Sequence, residues 1–392
     1  MRRTELLQEV RQMRFEEAYG DWKRGKLTQE EAARILGVCD RTFRRYTQRF
    51  DDGGLEALLD KRITQASHRR APVDEVLALA ARYRKRYTGW NARHFHSHYR
   101  REGGRRSYTW VKQRLQEAGL VKKAPRRGAH RKRRERSPLP GMMLHQDGSR
   151  HEWVPGQQWD LIVTMDDATN EHYSMFFVAQ EGTWSSFRGM GEVIRARGLA
   201  SSFYSDRGSH YWRTMEAGGK VDKHLPTQFG RAMKQLGIEM IPSYSPEARG
   251  RSERMFGTHQ DRLTKELALH GITEMQAANR YVTEVYLPQF NEEFLQPALE
   301  EGTAFVPWIG GNLDEILCEQ HDRQVGHDNC VSFDGKKLQI PPDKYRCHYV
   351  KTHVRVHRHQ DGSLAVFHGP RRLADYDPDG KPMPKPKARA SA

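Results

Sequence analysis

His145-Gln146-Asp147-Gly148-Ser149, Tyr204-Ser205-Asp206-Arg207-Gly208 and Ser245-Pro246-Glu247-Ala248-Arg249-Gly250-Arg251-Ser252-Glu253 decide how this chain is read. Each stretch supplies one acid: Asp147, Asp206 and Glu253. The first two close short apolar runs that read as strands, Met142-Met143-Leu144 and Ser202-Phe203-Tyr204, while the third opens a helical pattern after a loop containing Pro and Gly. Two strand ends and one helix start can bring three carboxylates to one point. Hard cations such as Mg²⁺ prefer carboxylate oxygens together with substrate phosphates. A pair of such ions stabilises both the attacking and the leaving oxygen of a phosphodiester displacement. The pattern predicts chemistry on a nucleic-acid backbone.

Around these acids the texture from Met142 onward alternates between strand-like and helical runs. Trp159-Asp160-Leu161-Ile162-Val163-Thr164-Met165 and Tyr173-Ser174-Met175-Phe176-Phe177-Val178 read as strands joined by the turn Asp166-Asp167-Ala168-Thr169-Asn170. A helix is expected over Ser185 to Arg197, then the strand ending at Asp206, a helix over Thr227 to Leu236, a strand at Ile238-Glu239-Met240-Ile241, and a long helix from Arg251 to Leu269. Strand, strand, strand, helix, strand, helix, strand, helix is the order of an RNase-H-like sheet. Rival carboxylates read differently. Asp166 and Asp167 precede Ala-Thr-Asn and suit a turn, their side chains bonding nearby N–H groups. Glu247 would replace Glu253 only if the helix began earlier, against which Pro246 and Gly250 argue. His145 and Ser149 share the strand face of Asp147, either to orient a substrate or simply to pack.

Composition points to a polyanionic partner. Of 392 residues, 66 are Lys or Arg and 50 Asp or Glu, a formal net charge of +16. Residues 1–137 hold 36 basic and 17 acidic residues, a net of +19, which leaves 30 against 33 and a net of −3 for the rest. All of the excess therefore lies in the first third, where counterion release would favour binding to nucleic acid. Cys39, Cys318, Cys330 and Cys347 lack a paired metal-ligand spacing and read as reduced thiols. No apolar run approaches the roughly 20 residues a membrane span requires, so a cytoplasmic, nucleoid-associated location is expected.

Within that basic third, Leu27 to Tyr46 reads as two short helices about Gly37: Thr28 and Glu31 form a capping box, and Asp40 caps a second helix with Arg41, Thr42, Arg44 and Arg45 exposed. This is a helix-turn-helix with a recognition helix. A second helical region begins at Pro72, and Ser107 to Leu120 gives another capped helix on which Ser107, Thr109, Trp110, Lys112 and Gln113 are candidate DNA contacts. Between them, His94, His96 and His98 alternate along a helix and point in different directions, with no Cys near, so no metal site is expected there. Lys122 to Arg136 packs nine basic residues among Pro and Gly. It cannot bury a core, and Arg131, Lys132, Arg133 and Arg134 are expected to lie along phosphates. Beyond the acids, 281–328 reads as a helical connector, 329–375 as short strands suggesting a small β-barrel, and 376–392 as a disordered tail.

With these elements in place, the chain resembles the insertion-sequence transposases of the retroviral-integrase (DDE) superfamily, most of all those grouped as ISNCY. The resemblance rests on Gln146-Asp147-Gly148-Ser149, Asp166-Asp167-Ala168-Thr169, Ser205-Asp206-Arg207-Gly208, and Ser245-Pro246 through Gly250 to Glu253-Arg254. It implies a multidomain α/β chain: a helix-turn-helix domain at 1–62, a second at 70–121, a basic linker at 122–138, an RNase-H-like catalytic core at 139–280, the connector, and the C-terminal β module. It also implies that Asp147, Asp206 and Glu253 hold two Mg²⁺ or Mn²⁺ ions, and that the chain binds the terminal inverted repeats of an element, cleaves its 3′ ends and transfers them into target DNA. A homodimer or higher oligomer would pair two ends. The chain departs from the family in its 46 residues between Asp206 and Glu253, a longer gap than is usual, with the excess read as a loop insertion over Tyr211 to Pro226. The competing readings are a DNA-binding regulator with a decayed nuclease fold and a plain RNase-H-like nuclease.

Overall fold

The computed structural model describes residues 3–59, 71–123, 135–214, 219–222, 224–244 and 246–384, the side chains at 3–9, 246–249, 251 and 252 excepted. The candidate contacts Arg131 to Arg134 lie outside the described residues. The chain divides into two compact units, Met1–Arg82 and Tyr83–Ala392.

In the first unit, α1 (Arg3–Lys23), α2 (Gln29–Ile35) and α3 (Asp40–Gly53) enclose a small core of Phe15, Ala18, Ala32, Ala33 and Phe43. The capping box forms as its sequence suggests: the Glu31 N–H donates to Thr28 Oγ1 (3.3 Å) and the Thr28 N–H to Glu31 Oε2 (2.8 Å). Gly37 takes φ 65° in the turn, a left-handed conformation that favours glycine. One detail differs. Cys39, not Asp40, is the N-cap of α3 and makes no side-chain cap; Asp40 is the first helical residue, where its charge faces the helix dipole. α4 (Val73–Arg86) spans the division between the units.

The second unit opens with α5 (Ala92–Arg101) and α6 (Tyr108–Glu117). Tyr83, Tyr87 and Phe95 stack edge-on around α5, and Val111 and Leu115 of α6 are buried. Then come β1 (Met143–Val154), β2 (Gln157–Asp166), β3 (His172–Val178), α7 (Thr183–Arg197), β4 (Ser202–Ser205), β5 (Arg213–Thr214), β6 (Val221–Asp222), α8 (Gln228–Gln235), β7 (Glu239–Pro242) and α9 (Pro246–Leu269). The main sheet has the order β3-β2-β1-β4-β7. β1 pairs antiparallel with β2 and parallel with β4, and β4 pairs parallel with β7. That is the RNase-H-like arrangement the sequence implies.

Each face of this sheet is covered by its own core. Leu144 and Phe203 face Phe187, Met190, Val193, Phe229 and Met233 from α7 and α8. On the other face Trp159, Leu161, Val163 and Phe177 meet Phe256, Leu263 and Leu267 of α9, together with α10 (Met275–Tyr281), a π turn (Val282–Tyr286) and α11 (Leu287–Phe294). Each large apolar side chain so buried contributes about 1.5–3 kcal/mol.

β1 is 12 residues long, far beyond its apolar start, because Gln146, Asp147 and Ser149 continue the ladder against β2 as polar members. α9 begins at Pro246, five residues before the expected start; proline lacks only an N–H that the first turn leaves unpaired, and Gly250 is carried within the helix. The expected loop insertion holds the two-stranded ribbon β5–β6.

α-Helix in the expected connector ends at Phe294 with α11, and a 3₁₀ turn follows at Leu313–Glu315. β8 (Glu319–Gln324) already belongs to the C-terminal sheet, pairing with β11 (His353–Arg358). β9 (Cys330–Phe333) and β10 (Lys336–Gln339) form a ribbon; β12 (Leu364–His368), β13 (Arg371–Tyr376) and β14 (Pro382–Met383) complete the order β14-β13-β12-β11-β8. This is an open five-stranded sheet around Val331, Val354, Val356, Val366 and Tyr376 rather than a closed barrel. Pairing of Asp375 with Met383 carries it past the expected start of the tail. No helix among the described residues is long and apolar enough to cross a membrane.

Candidate active site

Strand register brings the first two acids together. His145 of β1 lies opposite Tyr204 of β4, their rings 4.9 Å apart. Asp147 of β1 and Asp206, the residue just past the end of β4, each follow two residues later, so both lie near the point where the parallel pairing ends. Alternation sends His145, Asp147 and Ser149 to the α9 face of the sheet and Gln146 and Gly148 to the α7 face. Each acid is half-buried and steadied by its own turn: the Gly148 N–H donates to Asp147 Oδ1 (3.0 Å), and the Gly208 N–H to Asp206 Oδ1 (2.9 Å).

The opposite strand face explains the phrase around Asp147. Gln146 is buried, donating through Nε2 to Thr164 Oγ1 (2.8 Å) and accepting from the Tyr211 hydroxyl (2.9 Å). A side chain at Gly189 of α7 would strike it, a Cβ there falling 2.3 Å from Gln146 Nε2. Gly148 has a similar reason to be glycine: a Cβ there would lie 2.3 Å from the Glu181 carboxylate. Glu181 therefore approaches β1 from the α7 face, opposite the side chain of Asp147, and lies 3.4 Å from His210 Nε2; sequence reading missed it, since its position just before a helix gives no periodic signal. Tyr211 registers the cluster. Burial raises its phenol well above the usual value, and the charges of Glu181, Asp147 and Asp206 push it further in the same direction.

Glu253 stands on α9 facing the same side. Phe256, Leu263 and Leu267 follow it at helical spacing and are buried against the sheet, and Gln260, two turns on, donates to Ser149 Oγ (3.0 Å). Glu253 itself is exposed. The three acids do not form a ready cluster: among the described residues, one trio of His, Cys, Asp or Glu has all its ligand atoms within 4.8 Å, and it is His94, His98 and Glu266. The rivals fall into structural roles. Asp166 Oδ1 accepts from the N–H groups of Ala168 (2.9 Å) and Thr169 (3.0 Å), and Asp167 accepts from Ser137 N–H (2.8 Å) and His145 Nε2 (2.7 Å). His145 and Ser149 are each hydrogen-bonded within the fold, to Asp167 and Gln260.

Comparison with known proteins bears on this arrangement. Residues 21–75 match the family described as "Winged helix-turn helix". The chain is 31% identical over 352 residues to "Putative transposase y4bF" of Sinorhizobium fredii (strain NBRC 101917 / NGR234), covering 87% of this chain and 75% of that protein. The chain belongs to the insertion-sequence transposases. It is also 29% identical over 161 residues to "Transposase for insertion sequence IS1202" of Streptococcus pneumoniae, covering 41% of this chain and 34% of that one. Among solved structures it is similar to a chain of the simian T-cell lymphotropic virus intasome in complex with a PP2A regulatory subunit, at TM-score 0.33 and 16% identity over 66% of this chain and 84% of that chain. It is also similar to the HTLV-2 integrase catalytic core domain in complex with magnesium, at TM-score 0.29 and 14% identity over 38% of this chain and 89% of that chain.

In this transposase the candidate recognition helix α3 exposes Arg41, Arg44 and Arg45, while Thr42 is half-buried beside Cys39 Sγ (3.2 Å). On α6, Ser107 caps the helix by accepting from the Trp110 N–H (3.4 Å), Gln113 donates to Glu117 (3.0 Å), and Arg106 lies over the Trp110 ring at 5.0 Å. Thr109 and Lys112 are exposed. The α5 histidines do not all diverge as their alternation suggests. His94 and His98 are four residues apart, so they share a helix face, and Glu266 of α9 completes a trio that sequence distance concealed.

Proposed function

We propose that the transposase binds the terminal inverted repeats of its element as double-stranded DNA, hydrolyses the 3′ ends and joins them to target DNA, using Asp147, Asp206 and Glu253. The observation that supports this reading is the parallel register of β1 and β4, which ends at His145 and Tyr204, two residues before Asp147 and Asp206, on a sheet packed against α9, the helix of Glu253. The donor set fits a hard divalent ion: all oxygen and partly open to solvent. Two Mg²⁺ or Mn²⁺ ions, when bound, would activate the attacking oxygen and stabilise the leaving one. The chain's own residues position that chemistry. β1 carries Asp147, the end of β4 leads into Asp206, Gln146 and Tyr211 fix β1 from behind, and α9, packed on the sheet, carries Glu253. No covalent protein intermediate is needed.

Arg41, Thr42, Arg44 and Arg45 on α3 would meet base edges and phosphates of the repeat. Ser107, Thr109, Trp110, Lys112 and Gln113 on α6 would extend that contact, and Arg131, Lys132, Arg133 and Arg134 would follow the backbone between the domains. Because each end requires its own site, synapsis calls for at least a homodimer. Incubating the protein with Mg²⁺ and a duplex carrying the element's terminal repeat tests the reading. Strand-transfer products are expected; cutting without joining would mark a nuclease, and binding without cutting a regulator.

A further inference from the structure

We propose that His94, His98 and Glu266 form a binding site for a borderline divalent ion, Zn²⁺, separate from the oxygen-rich site of Asp147 and Asp206. The geometry is specific. His94 and His98 lie one turn apart on α5, and both direct Nε2 at the same oxygen, Glu266 Oε1 on α9, at 2.7 and 2.8 Å. All three ligand atoms fall within 4.8 Å of one another. His94 and Glu266 are almost fully buried, and His98 is 12% exposed, which leaves one side for water to enter as a further ligand. Two imidazoles and a carboxylate with an open position are a donor set suited to Zn²⁺ and poorly suited to Mg²⁺.

The surroundings orient these ligands. The Tyr281 hydroxyl donates to the other carboxylate oxygen, Glu266 Oε2 (3.0 Å), and the Trp90 ring stacks on His94 at 3.9 Å between centroids. Asn91 caps α5 by accepting from the His94 N–H (2.8 Å). Because a carboxylate only accepts, both rings carry their proton on Nε2 in the ion-free arrangement. Coordination through Nε2 moves that proton to Nδ1, so each neutral ring changes tautomer without releasing a proton to solvent. His94 Nδ1 is buried with no partner. The site thus lacks one outer hydrogen bond that zinc histidines usually make, and it should hold the ion less tightly than a closed four-ligand site.

Such an ion would fasten α5 to α9, beside the contacts that Ser97 and Arg93 of α5 make with Glu293 of α11. The test uses the full chain without DNA, equilibrated with Zn²⁺ in excess Mg²⁺, and counts retained zinc. The wild type is expected to hold one Zn²⁺ per chain more than His98→Ala or Glu266→Gln, and Co²⁺ in its place should show the visible bands of a low-coordinate site. Tyr281→Phe, which keeps the ligands, should weaken binding about 10–100-fold. Equal zinc content and affinity in wild type and His98→Ala, with both folded by circular dichroism, would overturn the proposal and leave the trio as a hydrogen-bonded clamp only. Since neither DNA nor strand transfer enters the readout, the outcome is independent of the proposed active site.

Discussion

The two halves of α9 differ in kind. Its N-terminal half carries Glu253, exposed and outside any preassembled cluster, whereas its C-terminal half buries His259, Arg262 and Glu266. Arg262 forks onto Glu293 at 2.8 and 2.9 Å, Glu266 takes hydrogen bonds from two histidines and a tyrosine, and His259 meets His172 at 3.0 Å and Tyr286 at 3.0 Å. One helix thus combines a firmly seated stem with a lightly held tip. The difference teaches that burial marks what holds this fold together, while the residues assigned to chemistry lie where the chain leaves room for a substrate.

Substitutions at the two ends should therefore separate activity from stability. The largest effect belongs to the sheet: Asp147→Asn and Asp206→Asn should each lower strand cleavage on the order of 10³-fold, with binding to the terminal repeat retained in a mobility-shift assay. At the other end of the comparison, Glu266→Ala should cost about 1–3 kcal/mol in urea unfolding, because it leaves the donors of His94, His98 and Tyr281 unpaired. Burial alone would raise the Glu266 carboxyl, but the hydrogen bonds from His94 and His98 outweigh it and hold the group well below the usual range.

Acid should act on the stem as well. Burial lowers His172 to about 4 and His259 well below its ordinary value. The unfolded rings take up protons near pH 6.5 while the folded ones remain neutral, so the unfolded chain binds more protons in that window. Stability is then full above about pH 6.5 and falls as the pH drops toward 4, by about 2 kcal/mol for His172 at pH 5. Thermal melts at pH 7 and pH 5 check this, and a flat profile would contradict the buried neutral pair. The smallest effect is expected at α3: Arg44→Ala and Arg45→Ala should each reduce the logarithmic salt dependence of repeat binding by about one and leave the melting temperature within experimental scatter.

Much of this was legible in the sequence, for a physical reason. Apolar runs that lead into an acid, turns marked by Gly, and the Thr28–Glu31 capping box are local signals, so the order of strands and helices in the core and α2 could be read directly. What escaped depended on distance. The Glu181 carboxylate at Gly148 and the meeting of His94 and His98 with Glu266 join segments 33 and 168 or more residues apart, with no periodicity to announce them. β8 was hidden because Glu319-Gln320-His321-Asp322-Arg323-Gln324 is polar throughout, its place in the sheet being set by pairing with β11. The early start of α9 escaped because Pro246 and Gly250 look like loop residues until the helix frame is fixed by Phe256, Leu263 and Leu267. That early start also removes the sequence argument against Glu247.

The central claim, that the exposed tip of α9 completes the site of Asp147 and Asp206, is tested most directly by Glu253→Gln beside Glu247→Gln. Cleavage of a terminal-repeat duplex in Mg²⁺ would be measured together with the melting temperature of each variant. The account predicts that Glu253→Gln abolishes cleavage with stability unchanged, while Glu247→Gln cuts as the wild type does. Retained cleavage in Glu253→Gln, with loss in Glu247→Gln, would contradict it and move the third acid one and a half turns toward the start of the helix.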